Sequence, residues 1–243
     1  VAAKEAAAPP ATALPGRRTQ ARVAGLAGLA FVVLYVAGFV ILGTSPAPSG
    51  SDEEITSFYA GDGSRLLTVF GAYIIPFAGI AFLWFTSAVR IVFITEPAKR
   101  AHVLAPMQFA TGILFVAAAF LAAAAMAASA TAIEFAGSPA DLDPGLLRAF
   151  PQLAYSIMFI FGIRMAGVFI ATTSALGRGL LPGWLRIVGF VLAAALLLSV
   201  SFIELLVLLI PAWVAVISVW LLVVLAREGA DDEPTQGRLG NDA

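Results

Sequence analysis

The chain has 243 residues, 60% of them hydrophobic and 12% charged, with a formal net charge of −1. This composition lies outside the range of soluble domains and inside that of integral membrane proteins, and the mean hydropathy of +0.96 agrees. Balanced charge without a basic, aromatic-interleaved stripe excludes a nucleic-acid partner; the absence of cysteine and the single histidine exclude disulfides, thiolate metal sites, Fe–S clusters and bis-histidine haem, so no metal or other cofactor is expected.

Residues 1–22 are rich in alanine and proline, carry Arg17 and Arg18, and read as a disordered cytoplasmic tail. Residues 23–43 form an apolar run of the length that crosses a bilayer, longer than the core of a cleavable signal. The loop that follows contains Ser51-Asp52-Glu53-Glu54, a capping box that should start a short helix with Ile55, Phe58 and Tyr59 on one apolar face and Gly61 at its end.

A second span is expected over residues 66–89, closed by Arg90. Pro76 near its middle removes a helical hydrogen bond and frees the carbonyl of Ala72, which needs a partner inside a bilayer. A basic loop with Lys99, Arg100 and His102 leads to an alanine-rich third span over 103–127. His102 reads as a solvated loop residue, because a metal site needs several ligands.

The next loop holds Glu134, Asp141 and Asp143, with Asp143-Pro144 as a helix-start signature and Pro151 as a second start. The fourth span covers 151–176, where Gly162/Ala166 and Gly167/Ala171 form two small-xxx-small pairs on adjoining faces, expected to pack against other helices. Residues 185–203 and 206–226 offer a fifth and a sixth span, and 227–243 form an acidic cytoplasmic tail. Trp84, Trp184 and Trp213 read as interfacial or packing aromatics.

The expected architecture is therefore all-α: a polytopic membrane protein with six transmembrane helices and both termini cytoplasmic. Lys4, Arg17, Arg18, Arg22, Arg90, Lys99, Arg100, Arg178, Arg186, Arg227 and Arg238 fall on one side, against Arg65 and Arg148 on the other.

Arg164 stands apart, about ten residues or roughly 15 Å into its span, where a charged side chain costs at least about 2.5 kcal/mol. Its guanidinium should project one turn outward, to the level of Ala72 and Tyr73. In the preferred, structural reading it donates to the carbonyl that Pro76 frees and to Tyr73, pinning the fourth span to the second. The binding reading makes it an anchor for a lipid phosphate or a carboxylate, with Glu204 as resting partner. Asp141, Asp143 and the trio Asp52, Glu53 and Glu54 read as helix-capping acids. His-Glu-x-x-His, Gly-x-Ser-x-Gly, Walker A and Gly-x-Gly-x-x-Gly patterns are all missing, so no catalytic residue is assigned and enzyme activity has no support.

Three stretches, FLWFTSAVR (Phe82 to Arg90), FGIRMAGVFIATTSALGRGLLPGWLRIVGF (Phe161 to Phe190) and IPAWVAVISVWLLV (Ile210 to Val223), resemble a group of uncharacterised actinobacterial six-span membrane proteins. The resemblance implies a bacterial cytoplasmic membrane and six helices, and agrees with an Ala-, Gly- and Arg-rich composition holding two lysines. No activity comes with it. The expected role is a non-enzymatic scaffold or accessory component packing with membrane lipids, a membrane-protein partner or a second copy. The alternative is a small-solute or anion transporter, or a lipid-binding protein, that uses Arg164.

Overall fold

Long apolar runs hide their backbone polar groups from lipid by closing hydrogen bonds within the segment, and every regular element among the described residues is helical. The computed structural model describes residues 15–46, 50–94, 101–136, 143–199 and 204–231. In chain order the helices are α1 (Pro15–Leu42), α2 (Asp52–Ala60), α3 (Gly63–Val69), α4 (Ile75–Phe93), α5 (Ala101–Ala136), α6 (Pro144–Ser156), α7 (Ile163–Leu176), α8 (Gly183–Leu198) and α9 (Leu209–Asp231). Two π-helical segments, Phe70–Ile74 and Ile157–Gly162, join α3 to α4 and α6 to α7 without a break.

Five stretches are long and apolar enough to cross a bilayer: Arg18–Leu42, Gly63–Phe93, His102–Phe135, Pro144–Gly179 and Leu205–Val224. The expected fifth span is shorter than the others. α8 has 16 residues, about 24 Å at 1.5 Å per residue, less than the roughly 30 Å hydrocarbon layer, and its chain turns extended at Ser199.

Local chemistry sets the other boundaries. Ser51 caps α2, its Oγ accepting from the amide of Glu54 at 3.2 Å, and Ile55 and Tyr59 are buried while Gly61 ends the helix. α6 starts at Pro144, where Asp143 Oδ1 accepts from the Gly145 amide at 2.7 Å and the proline needs no donor of its own. The helix then runs through Pro151, so that proline is not a second start. α5 continues to Ala136, eight residues into the expected loop, and carries Glu134 exposed on its last turns.

α1 packs against α4 and α9, α5 packs against α4, α6 and α7, and α7 packs against α8. Phe82 of α4 is the hub, fully buried, with ring centroids 4.8 Å from Phe31, 5.1 Å from Phe115 and 5.0 Å from Phe169. Each tilted or edge pair adds about 0.5–1.5 kcal/mol beyond its buried area. Around this cluster glycines let helices close up. A Cβ on Gly28 would meet Ser218 of α9 and Phe85, and one on Gly71 would meet Ala127 of α5.

The two small-residue pairs of the fourth span are used unequally. Gly162 faces Ala118 of α5, and its companion Ala166 is fully buried. Gly167 faces Ala193, Leu196 and Leu197 of α8. Ala171 is partly buried and packs against the main core cluster. Trp213 is in the core, whereas Trp84 and Trp184 lie exposed on the apolar surface.

The bundle has two unlike ends. α2, α3 and the start of α6 cover one, with Asp52, Glu53, Glu54, Asp62, Glu134 and Asp143 beside Arg65 and Arg148. Arg18, Arg22, Arg90, Arg178 and Arg186 lie at the other.

Candidate functional site

Arg164 follows the π-helical segment Ile157–Gly162, where the amide of Ile163 reaches back five residues to the carbonyl of Met158. Returning from five-residue to four-residue bonding leaves one carbonyl of the junction short of a backbone donor. The guanidinium sits there. Its Nη1 donates to the carbonyl oxygens of Phe159 and Ile160, both at 2.8 Å, and its Nη2 donates to the carbonyl of Ser199 at 3.4 Å. Ser199 closes α8, whose last carbonyls carry the negative end of the helix dipole, so a cation there is favoured.

These contacts correct the expected pairing of Arg164 with Ala72 and Tyr73. The π-helical segment Phe70–Ile74 packs against α1, α3, α4 and α5, whereas α7 packs against α5 and α8. Ala72 is exposed, and Tyr73 is 59% exposed on the outside of the bundle. Pro76 is accommodated in its own helix: the amide of Ile75 bonds Phe70, five residues back, and the wider turn gives the proline ring room against the turn before it. Glu204 opens a short 3₁₀ turn before α9, and its side chain lies outside the described residues, as do Lys99, Arg100 and Asp141. His102 is exposed in the first turn of α5.

Both π-helical segments border one cavity of about 280 Å³ at the end of the bundle covered by α2 and α6. Phe70 and Ile75 reach it from the first segment and its junction with α4, and Met158 and Phe159 from the second. Its α5 wall is made of Ala119, Ala122 and Ala123, whose methyl side chains leave the space open, and Tyr35 and Phe39 of α1 face that wall. Each π turn inserts an extra residue and shifts the side-chain ridges that would otherwise fill the groove of a neighbouring helix. Such turns recur at functional sites.

The polar groups lie toward the roof. Ser45 lines the cavity with a buried Oγ that has no hydrogen-bond partner. A second cavity of about 20 Å³ shares Ser45, Pro46, Met126 and Tyr155 with the first and reaches Arg148. Arg148 Nη1 pairs with Asp52 Oδ1 at 2.5 Å and Nη2 donates to the Gly50 carbonyl at 2.6 Å, which ties α6 to the cap of α2. Beside it, burial pushes the Tyr59 phenol up.

Reasoning from the sequence singled out Arg164 and missed the cavity. A cavity is bounded by ordinary apolar residues from several helices, and the one local signal was the run of alanines on α5 opposite Pro76. No known protein family, curated protein or solved structure matches this chain. The site therefore has to be read from its own chemistry. Among the described residues no group of three histidine, aspartate or glutamate side chains is placed to hold a metal ion. What the geometry offers is an apolar container with a polar roof.

Proposed function

We propose that the protein is a non-enzymatic membrane protein that holds a hydrocarbon chain in the cavity between its two π-helical segments. The observation that carries the reading is the cavity itself, about 280 Å³ with walls of alanine, phenylalanine, tyrosine, isoleucine and methionine side chains. The space is partly open and its walls are mostly apolar, so water gains few hydrogen bonds there. Lipid hydrocarbon is the solvent at hand to fill it. The volume is near the lower end of ligand pockets, so it takes part of a single chain.

The rest of the reading follows the charge distribution. Arginines collected at one end and acids at the other support a six-helix arrangement with both termini cytoplasmic and the cavity in the outer half, with α8 as a short fifth span; the membrane in this reading is the bacterial cytoplasmic one. A scaffold role draws less support, because Gly162 and Gly167 are used inside the bundle, against α5 and α8, and Ala166 is buried there.

The test is photolabelling of the purified protein, in detergent or nanodiscs, with a long-chain fatty alcohol bearing a diazirine near its chain end. Labels are expected on the Ala119–Met126 stretch of α5 and on Met158, and Ala122→Phe, which fills the cavity, should remove them. Equal labelling of both proteins, spread over the lipid-facing surface, would sink the reading.

A further inference from the structure

The small cavity under the roof gives the larger one a direction. It adjoins the larger one, the two sharing Ser45, Pro46, Met126 and Tyr155, and its own lining adds Arg148, the charged residue among those that line either space. A chain whose tail lies among the α5 alanines would bring its head to that guanidinium. Resting on the hydrocarbon-chain reading above, we propose that the occupant is a single-chain amphiphile with an anionic head, a carboxylate or a phosphate monoester, and that Arg148 binds the head in place of Asp52.

Three features support the exchange. Asp52 is a replaceable partner, because its side chain is 65% exposed while that of Arg148 is 25% exposed, and ion pairs with one solvated member contribute little. Arg148 Nη2 keeps its bond to the Gly50 carbonyl, so the guanidinium stays in place when Asp52 swings out, and its fork suits a carboxylate or a phosphate with two parallel bonds. Ser45 has a buried Oγ without a partner where the two spaces meet, and a head oxygen there would give it one. The 20 Å³ space holds about one water and no head group as it stands, which is why the head must take the place of Asp52 rather than fit beside it.

Arg164 cannot serve this purpose. It lines neither space, and its guanidinium is held by the carbonyls of Phe159, Ile160 and Ser199, whereas Arg148 lines the small space that adjoins the container.

The experiment compares three diazirine probes of equal chain length, a fatty acid, a lysophosphatidic acid and the fatty alcohol, on the full chain and on Arg148→Gln and Asp52→Asn. Half-saturation of labelling on α5 is the readout. Arg148→Gln should weaken the two anionic probes about tenfold, the size of one lost hydrogen bond to a charged group, and leave the alcohol unchanged. Asp52→Asn should strengthen the anionic probes, since it removes their competitor. A larger loss for the phosphate probe assigns a phosphate head; a larger loss for the fatty acid assigns a carboxylate. If Arg148→Gln weakens all three probes alike, or Asp52→Asn weakens the anionic probes, the pair is a strap on the roof and the inference fails while the cavity reading stands. Absence of alcohol labelling on α5 in the unaltered protein would instead remove the cavity reading and this inference with it.

Discussion

Arg164 Nη1 lies 2.8 Å from the carbonyl oxygen of Phe159, five residues earlier in the same helix. The charge placed deepest in the apolar layer is thus held by backbone oxygens of its own π-helical segment and of the end of α8. Such bonds are charge-assisted and lie where water cannot replace them. Arg164→Leu should therefore cost about 1–3 kcal/mol, because it removes the donor of the Phe159 and Ile160 carbonyls and leaves neutral acceptors behind. Arg164→Lys, which keeps the charge but loses the fork that bridges two elements, should fall between. Thermal unfolding in detergent checks both, and a leucine variant as stable as the parent would show that the carbonyls find other partners.

Gly189 and Gly183 both lie in α8 and make opposite demands. A Cβ on Gly189 would run into Ser174 Oγ and stand 2.6 Å from the ring of Trp213, a side chain that is itself fully buried, whereas nothing lies within 4 Å of one on Gly183. Gly189→Ala should destabilise by about 1–3 kcal/mol through overpacking. Gly183→Ala should be neutral or slightly stabilising. Melting temperatures of the two variants in one detergent decide the matter, and equal shifts would contradict the α8 packing.

Bulk should be tolerated in the cavity and nowhere near it in the core. Ala122 lines the open space, so Ala122→Phe should leave stability within about 1 kcal/mol of the parent, in either direction. Ala166, fully buried on α7, has no such space, and Ala166→Phe should cost about 1–3 kcal/mol or more. A denaturation series on the pair is the check; comparable losses at both positions would mean that the space closes in the membrane.

Tyr59 makes part of the stability depend on alkaline pH. Its phenol is raised above the usual value by burial under the roof, so the folded protein favours the neutral form. The contribution is complete below the unfolded value of about 10, and it is lost as pH rises through the higher folded value, because the unfolded chain ionises first. Tyr59→Phe should flatten the fall in melting temperature above about pH 10 while leaving neutral-pH behaviour nearly unchanged. An identical alkaline slope in both proteins would place the titration elsewhere.

Much of the architecture was legible in the sequence because it follows from single-residue signals at fixed places. Apolar length marked five long helices, Ser51 and Asp143 marked the starts of α2 and α6, and Gly61 marked the end of α2. Pro151 misled, because the rule that proline starts helices competes with the rule that an interior proline can be carried when the helix on both sides is well anchored. α5 overran its expected end because the alanines of residues 127–136 propagate a helix past the apolar layer. The short α8 could not be read from hydropathy, since the chain beyond Leu198 is as apolar as the helix.

For the site, the singularity of Arg164 was visible and its partners were not. An orphaned carbonyl was expected beside Pro76, where the rule for proline places one, but that helix widens into a π turn. The register change that draws in Arg164 occurs at Ile157–Gly162, a stretch with no proline and no sequence mark for it. The Arg148–Asp52 pair joins residues 96 positions apart, a distance over which spacing carries no information.

The central claim is that the site is the cavity and not Arg164. One titration tests it: saturation of the diazirine fatty acid on the parent protein, Ala122→Phe and Arg164→Lys, with correctly folded protein in each sample verified by its monodisperse elution. Ala122→Phe should abolish saturable labelling of α5, and Arg164→Lys should leave half-saturation within about twofold of the parent, a difference under about 1 kcal/mol. Saturable binding that survives Ala122→Phe and vanishes with Arg164→Lys would contradict the claim and return the binding site to the middle of α7.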